Sequence, residues 1–362
     1  MKISICGDVC PAGANDYFIK GDTEELFHDV PEVFADSDRV LINLETALTQ
    51  QDTPIFKKGP NIKASPVCVN VLKEIGVTDC GISNNHIFDY GVPGVWDTIR
   101  AMTEAGLQYT GFGTDYEDAR KNLILEKDGI SAAVIAVCEH EYSYALADRM
   151  GARGYDPYDT LEDIREAKGK YDYVIVTFHG GKEQSVYPSP RLRKACQAMV
   201  RSGADVVLCQ HSHCIGCYEE YRNGHILYGQ GNFHFTNYVT NDPQWQSGLI
   251  VQLELSDGIS IDFVPVTVVG CGITLAQGEE KAQLLAAFQE RSENLQNGKW
   301  LDGWAEFCEK HRDNCLGFLG RAYSENATEH DNDILNGRLH CEAHRDILEW
   351  FCRHPWEVKT KL

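Results

Sequence analysis

Short apolar runs, each closed by a cluster of polar residues, recur through most of the chain. They are KISICGDV (2–9), RVLINLE (39–45), DCGISNN (79–85), SAAVIAVC (131–138), YDYVIVTFHG (171–180), ADVVLCQHSH (204–213) and HILYGQGNF (225–233). Runs of this length bounded by turn residues are buried strands. Between them lie VCVNVLKEIG (67–76), VWDTIRAMTEAG (95–106) and SPRLRKACQAMVRSG (189–203). These carry apolar residues three and four apart, with Ser-Pro at the start of the third and glycine at the end of each, so they read as helices. Strands alternating with helices specify a layered α/β core. Two further runs, GLIVQLELS (248–256) and ISIDFVPVTVV (259–269), meet at Asp257-Gly258 and predict a hairpin.

The composition changes after about residue 275. EEKAQLLAAFQERSENLQNG (279–298), WLDGWAEFCEKHRDNCLGFLG (300–320) and CEAHRDILEWFCRH (341–354) read as helices, with a polar link near 324–337. The expected organisation is a core over 1–275 and a helical extension over 276–362. Trp300, Trp304, Phe307, Phe318, Trp350 and Phe351 make that extension too aromatic for a solvated tail, so it is expected to pack on the core.

The 362 residues carry 33 Lys and Arg against 54 Asp and Glu, a formal charge of −21. That balance opposes nonspecific nucleic-acid binding, which needs a basic face, and docking on anionic lipid. An anionic substrate would have to be drawn in by local cations. The N-terminal MKISICGDV reads as a first strand rather than a signal peptide, and no apolar run approaches a membrane span. The 14 cysteines are therefore expected to be free, mostly buried and in a reducing cytoplasm. Nothing in the sequence fixes the oligomeric state.

Polar donors collect at the C-terminal ends of the strands. Asp8 closes the first, Glu45 the second, Asn84, Asn85 and His86 the third; His179, and then His211 and His213, close two more. In open α/β sheets ligands bind at that edge. One histidine in such a place is ordinarily a satisfied core residue; several converging with carboxylates point to metal. A bridging carboxylate with three imidazoles suits two divalent ions about 4 Å apart, and the mixed donors suit Mn, Fe or Zn.

The series GDV, NLETALT, NNHIFDYG, FHGGKE, GADVVLCQHSH and YGQGNFHF, in this order, resembles the CapA family of capsule and poly-γ-glutamate biosynthesis proteins, within the calcineurin-like metallophosphoesterase superfamily. The resemblance covers about residues 1–270. It implies a four-layer α-β-β-α sandwich of two mixed sheets, followed here by the helical extension. It also implies that Asp8, Glu45, Asn85, His179, His211 and His213 hold the metals and that His86 stands beside substrate; Asp89 or a backbone carbonyl is expected to hold His86 near the leaving group. Asn84, Lys182, Glu183 and Asn232 are expected to face the substrate, although Lys182 is equally read as a surface lysine and Asn232 has no evident chemistry beyond loop shape. Cys10 stands where many superfamily members have histidine, and is either an extra thiolate ligand or a filler. Where the family often has His-Trp-Gly, this chain has His179-Gly180-Gly181, so an aromatic wall is missing.

The function implied is hydrolysis of a phosphate mono- or diester. The alternative is a non-hydrolytic biosynthetic role, with the same site binding or transferring an acidic polymer. Cys209, Cys214 and Cys217 have a spacing seen in some iron–sulfur proteins, but they flank histidines already assigned and read as buried thiols. His340 and His344, four apart, read as a solvated helix face. His234 alternates with aromatics and could point toward the site. GFGTD (111–115) lacks a phosphate-loop lysine and reads as a turn.

Overall fold

The computed structural model describes residues 1–236 and 242–353. Two mixed sheets form the centre. The first runs in the order Gly272–Leu275, Ile259–Val269, Ser247–Leu255, Lys2–Val9, Arg39–Leu44, Asp79–Gly81 and Gln108–Thr110, with Asn232–His234 also paired to Lys2–Val9. The second runs Tyr218–Tyr221, Gly224–Leu227, Val206–Gln210, Tyr173–His179, Ile130–Cys138 and Leu123–Lys127. The central strands of both are parallel, while the Ser247–Leu255 and Ile259–Val269 hairpin is antiparallel.

Alternation along the strands builds the layers, because successive side chains point to opposite faces. Ile3, Ile5 and Leu41 of the first sheet meet Leu125, Val134, Ile175 and Leu208 of the second in one buried layer. The residues between them turn outward. Cys6, Val40 and Ile42 pack against Leu72, Val95 and Met102 of the helices Cys68–Glu74 and Gly91–Glu104. Val174, Val176 and Val207 pack against Ile164, Leu192 and Met199 of the helices Asp159–Lys168 and Pro190–Ser202. The result is the four-layer α-β-β-α sandwich expected from the sequence. The third helix begins and ends as its sequence predicts: Ser189 accepts a hydrogen bond from Leu192 N, and Gly203 closes it at φ 119°.

The C-terminal segment differs from its sequence reading in two places. The stretch read as one helix over 300–320 is two, Trp300–Lys310 and Arg312–Ala322, broken at His311. The polar link contains a helix, Glu329–His340, held by a capping box in which Thr328 and Asp331 bind each other's backbone. The helix Glu342–Arg353 follows; the final residue of the stretch read as helix, 354, lies outside the described residues. Trp300 joins the helical layer of the second sheet. Trp304, Phe318, Ile334, Ile347 and Phe351 close a small core of their own.

A buried polar network ties this segment to the sandwich. Arg191 pairs with both Glu139 and Asp346, His140 binds both oxygens of Glu342, and Ala343 N donates to Glu139 at 3.1 Å. The cysteines are free, and of them only Cys352 is exposed. No helix among the described residues is long and apolar enough to cross a membrane.

Candidate metal centre

Strand parity decides which side chains meet. On Arg39–Leu44, Leu41 faces the inter-sheet layer, so Asn43 and then Glu45 continue on that face as the strand ends. On Tyr173–His179, Ile175 faces the same layer, and so does His179. The two parallel edges therefore place Glu45 and His179 opposite each other between the sheets. Asp8 is beside Asn43 on one side and Asn232 on the other. The pairing with Asn232 needs Gly7, since a Cβ there would lie 2.0 Å from Gly231 O.

His211 and His213 leave the end of Val206–Gln210 in the left-handed region, at φ 80° and 54°. Non-glycine residues seldom adopt that conformation, and where they do the surrounding structure holds them there. Asp8 supplies part of that hold by accepting from His211 N at 3.0 Å.

The donors converge. Glu45 Oε1 lies 3.4 Å from His179 Nε2, 3.8 Å from His213 Nε2 and 3.9 Å from His211 Nδ1. Asp8 Oδ2 lies 3.4 Å from His213 Nδ1. Donor atoms of Glu45, His179 and His211 fall within 4.8 Å of one another; so do those of Asp8, Glu45 and His213, and those of Glu183, His211 and His213. Asn85 Oδ1 is 2.9 Å from His179 Nε2. The residues expected to hold metal are thus brought together, and Glu183 adds a carboxylate to them.

The charges are consistent with a cation site. Glu45 is fully buried, yet neither of its carboxylate oxygens has a hydrogen-bond partner. A buried carboxylate left so costs several kcal/mol unless a positive charge compensates it. Burial works against ionisation, but His179 and His213 hold Glu45 well below the usual carboxylate range. Burial and then Glu45 push Asp8 up. Burial also opposes the charged form of His211, but Glu45, Glu141 and Glu183 raise it to about 9. Two carboxylates crowded among three imidazoles, one with both oxygens orphaned, fit divalent cations.

An outer layer fixes these groups. Asn43 donates to Asp8 Oδ1 at 2.7 Å, lies 3.0 Å from His179 Nδ1, and accepts from Asn84 Nδ2 at 3.1 Å. Asn84 is otherwise spent on Leu44 O and on the amides of His86 and Ile87. Asn232 Oδ1 accepts from His213 Nδ1 at 2.9 Å, and its amide donates to Trp245 O. That contact leaves His213 Nε2 as the ring's free lone pair, as a metal ligand requires. Asn84 and Asn232 therefore brace the donors through their amides.

His86 and Asp89 form an adjoining pair, with His86 Nδ1 2.7 Å from Asp89 Oδ2. Lys57, absent from the sequence reading, makes an ion pair with Asp89 while its side chain is only 3% exposed. Its place in IFKKGP gave no sign of this, because loop geometry rather than local pattern buries it.

Cys10 is packed with Ile62, Phe235 and Trp245. Burial pushes its thiol far above the ordinary value, which is the environment of a filler. His234 points elsewhere, into Phe18 and Phe27. Cys209, Cys214 and Cys217 are buried free thiols. His340 and His344 are on different helices: His340 is exposed, while His344 turns toward the cavity above His211. The missing aromatic wall has a steric reason, since a Cβ at Gly180 would lie 2.7 Å from Glu139 Cγ.

A family model described as "Bacterial capsule synthesis protein PGA_cap" matches residues 2–237. The chain is 32% identical over 260 residues to "Capsule biosynthesis protein CapA" of Bacillus anthracis, a match covering 68% of this chain and 62% of that one. It is 31% identical over 216 residues to "PGA biosynthesis protein CapA" of Bacillus subtilis, covering 59% and 57%. The match thus spans about three fifths of the length of these relatives. A Thermus thermophilus protein of known structure superposes with a TM-score of 0.45 at 17% identity, covering 73% of this chain and 98% of that one. On the family match and the identity to the Bacillus proteins, the chain belongs to the PGA_cap family of bacterial capsule synthesis proteins.

Proposed function

We propose that this chain is a metal-dependent phosphoesterase that cleaves a phosphate mono- or diester at a dinuclear centre. The observation that carries the reading is the buried Glu45 carboxylate, without a hydrogen-bond partner at either oxygen and with three imidazoles within 4 Å of Oε1. Asp8, Glu45, Asn85, His179, His211 and His213 would hold the two cations, with Mn, Fe or Zn suited to the donors. When bound, such ions polarise the nonbridging oxygens of the ester and lower the pKa of a coordinated water.

The chain's own residues do the rest. Asp8 and Asn232 fix the backbone and ring of the histidine pair, so little reorganisation is needed during reaction. Asp89 accepts from His86 Nδ1, which orients the ring and leaves Nε2 for substrate. His86 would pass its Nε2 proton to the departing alkoxide, while Lys57 Nζ, 3.2 Å from Nδ1, helps to hold the ring. Lys57 and the amide of Ile62 fix Asp89 in turn.

The printed names of the Bacillus relatives favour a second reading, a biosynthetic role in which the site binds or transfers an acidic polymer without hydrolysis. Hydrolysis of aryl phosphate mono- and diesters with added Mn²⁺ separates the two. Metal-dependent turnover lost in His86→Ala, with metal still bound, supports the hydrolase. Bound metal with no turnover on any ester overturns it in favour of the second reading.

A further inference from the structure

A cavity of about 290 Å³ opens above His211 and Glu183. Its far wall is not part of the sandwich. It comes from the helices Arg312–Ala322, Glu329–His340 and Glu342–Arg353, beyond the residues matched by the family. The wall is seated closely on the core: a Cβ at Gly337 would lie 2.8 Å from Tyr142 Oη, and that same hydroxyl accepts from Lys58 N at 3.0 Å. The volume, at the low end for small-molecule pockets, suits a small ligand rather than a folded partner.

The charges lining it are unusual for this chain. Lys58, Lys182 and Arg338 all face the cavity. The acids there are engaged: Glu183 lies 3.5 Å from Lys182 Nζ, and Glu141 lies 3.7 Å from His211 Nε2. Among the described residues, no carboxylate comes within 4.0 Å of Lys58 or Arg338 in an ion pair. In a chain with 54 acidic residues and a charge of −21, two unpaired cations in one cavity are not explained by a shortage of acids.

Arg338 is also held in place. Its guanidinium stacks on the Phe318 ring, 5.5 Å from the centroid, and donates to the His344 imidazole. Burial, then Lys182 and Arg338, push His344 well below its ordinary value, so the ring is neutral and free to accept. Burial, then the charges of Arg338, Arg321 and Lys182, push Lys58 down. These cations repel one another, and an anion among them would relieve that repulsion. A planar, pre-oriented guanidinium is the side chain best shaped to grip a carboxylate or phosphate.

We infer that this cavity is an anion-recognition subsite, in which Lys58 and Arg338, with Lys182, bind a second acidic group of the substrate beyond the ester held at the metal centre. The inference rests on the phosphoesterase reading for the position of the ester. The substrate class it names is a small phosphate ester bearing a further carboxylate or phosphate. The C-terminal helices then select substrate, while the sandwich holds the reacting group.

The test is titration calorimetry on the full chain loaded with Mn²⁺. The probes are phosphoglycolate, which carries a carboxylate, and ethyl phosphate, which does not. The wild type should bind phosphoglycolate about tenfold more tightly. Arg338→Gln and Lys58→Gln should each cut that preference to within about twofold. The Lys58 side chain makes no hydrogen bond among the described residues, so its replacement serves if Arg338→Gln fails to fold. Equal affinity for both probes in the wild type, or an unchanged preference in the variants, overturns the inference. Each comparison is made in a His86→Ala background, where bound ester is not cleaved, so a protein that prefers phosphoglycolate yet, with His86 in place, hydrolyses no ester contradicts the phosphoesterase reading and leaves the subsite standing.

Discussion

Asn43 donates to Asp8 across two parallel strands at 2.7 Å, and the same amide lies 3.0 Å from His179 Nδ1. One buried side chain on the first sheet thereby aligns donors from both sheets. Partners of this kind orient metal ligands, and their loss typically weakens metal affinity by about 10- to 100-fold. Asn43→Ala is expected to lower Mn²⁺ affinity within that range while circular dichroism stays that of the folded protein. Competitive titration against a chelator measures the change.

Lys57 and Asp89 form an ion pair with almost no exposure. Removing one partner of such a pair leaves an uncompensated buried charge and costs about 3–5 kcal/mol. Lys57→Met should therefore lower the denaturation midpoint clearly, and Lys57→Met with Asp89→Leu should recover part of that loss. If the single variant is as stable as the wild type, Lys57 is not what fixes Asp89.

The helix Glu342–Arg353 is docked by Arg191, which lies between Glu139 and Asp346, both 4% exposed. Burial raises both carboxylates above their ordinary values, so each depends on the guanidinium for its charge. Arg191→Met is expected to destabilise the chain by about 3 kcal/mol. Cleavage in the C-terminal helices by a trace of protease should then precede cleavage of the sandwich.

Asp29 fastens the first helical turns to the last strand by accepting from Leu275 N, Thr274 Oγ1 and Gln277 Nε2. Burial alone would raise its carboxyl, but these three bonds hold it below the ordinary value. A carboxyl that ionises more readily in the folded state stabilises the fold above its unfolded pKa, about 3.9. That contribution is lost as pH falls through the folded value. Asp29→Asn should cost about 1–2 kcal/mol at pH 7, and the difference from wild type should be smaller at about pH 3. Urea unfolding at both pH values checks it.

Much of this arrangement was legible in the sequence. The central strand runs are apolar because both faces are buried, and the polar residues closing them mark one edge of the two mixed sheets. Asp8, Glu45, Asn85, His179, His211 and His213 could be picked out on that basis and do lie together. What holds them was harder to see. Asn43 is one amide inside a strand, and Lys57 is one lysine in a loop; only the tertiary fold buries them. The helix Glu329–His340 is rich in Asn, Asp and Gly, which lowers its intrinsic propensity, and its capping box uses Asp331 in place of the usual Glu. Reading 324–337 as a link also hid Arg338 and His344 as a facing pair, since the chain reverses between two helices at Cys341.

The central claim is that Glu45 and its surrounding imidazoles exist to hold cations. Elemental analysis of the protein, purified without chelator and reconstituted with Mn²⁺, tests it most directly. The account predicts about two divalent ions per chain, falling sharply in Glu45→Gln and in His213→Ala. Metal-free protein after reconstitution, or full metal content in Glu45→Gln, would contradict it.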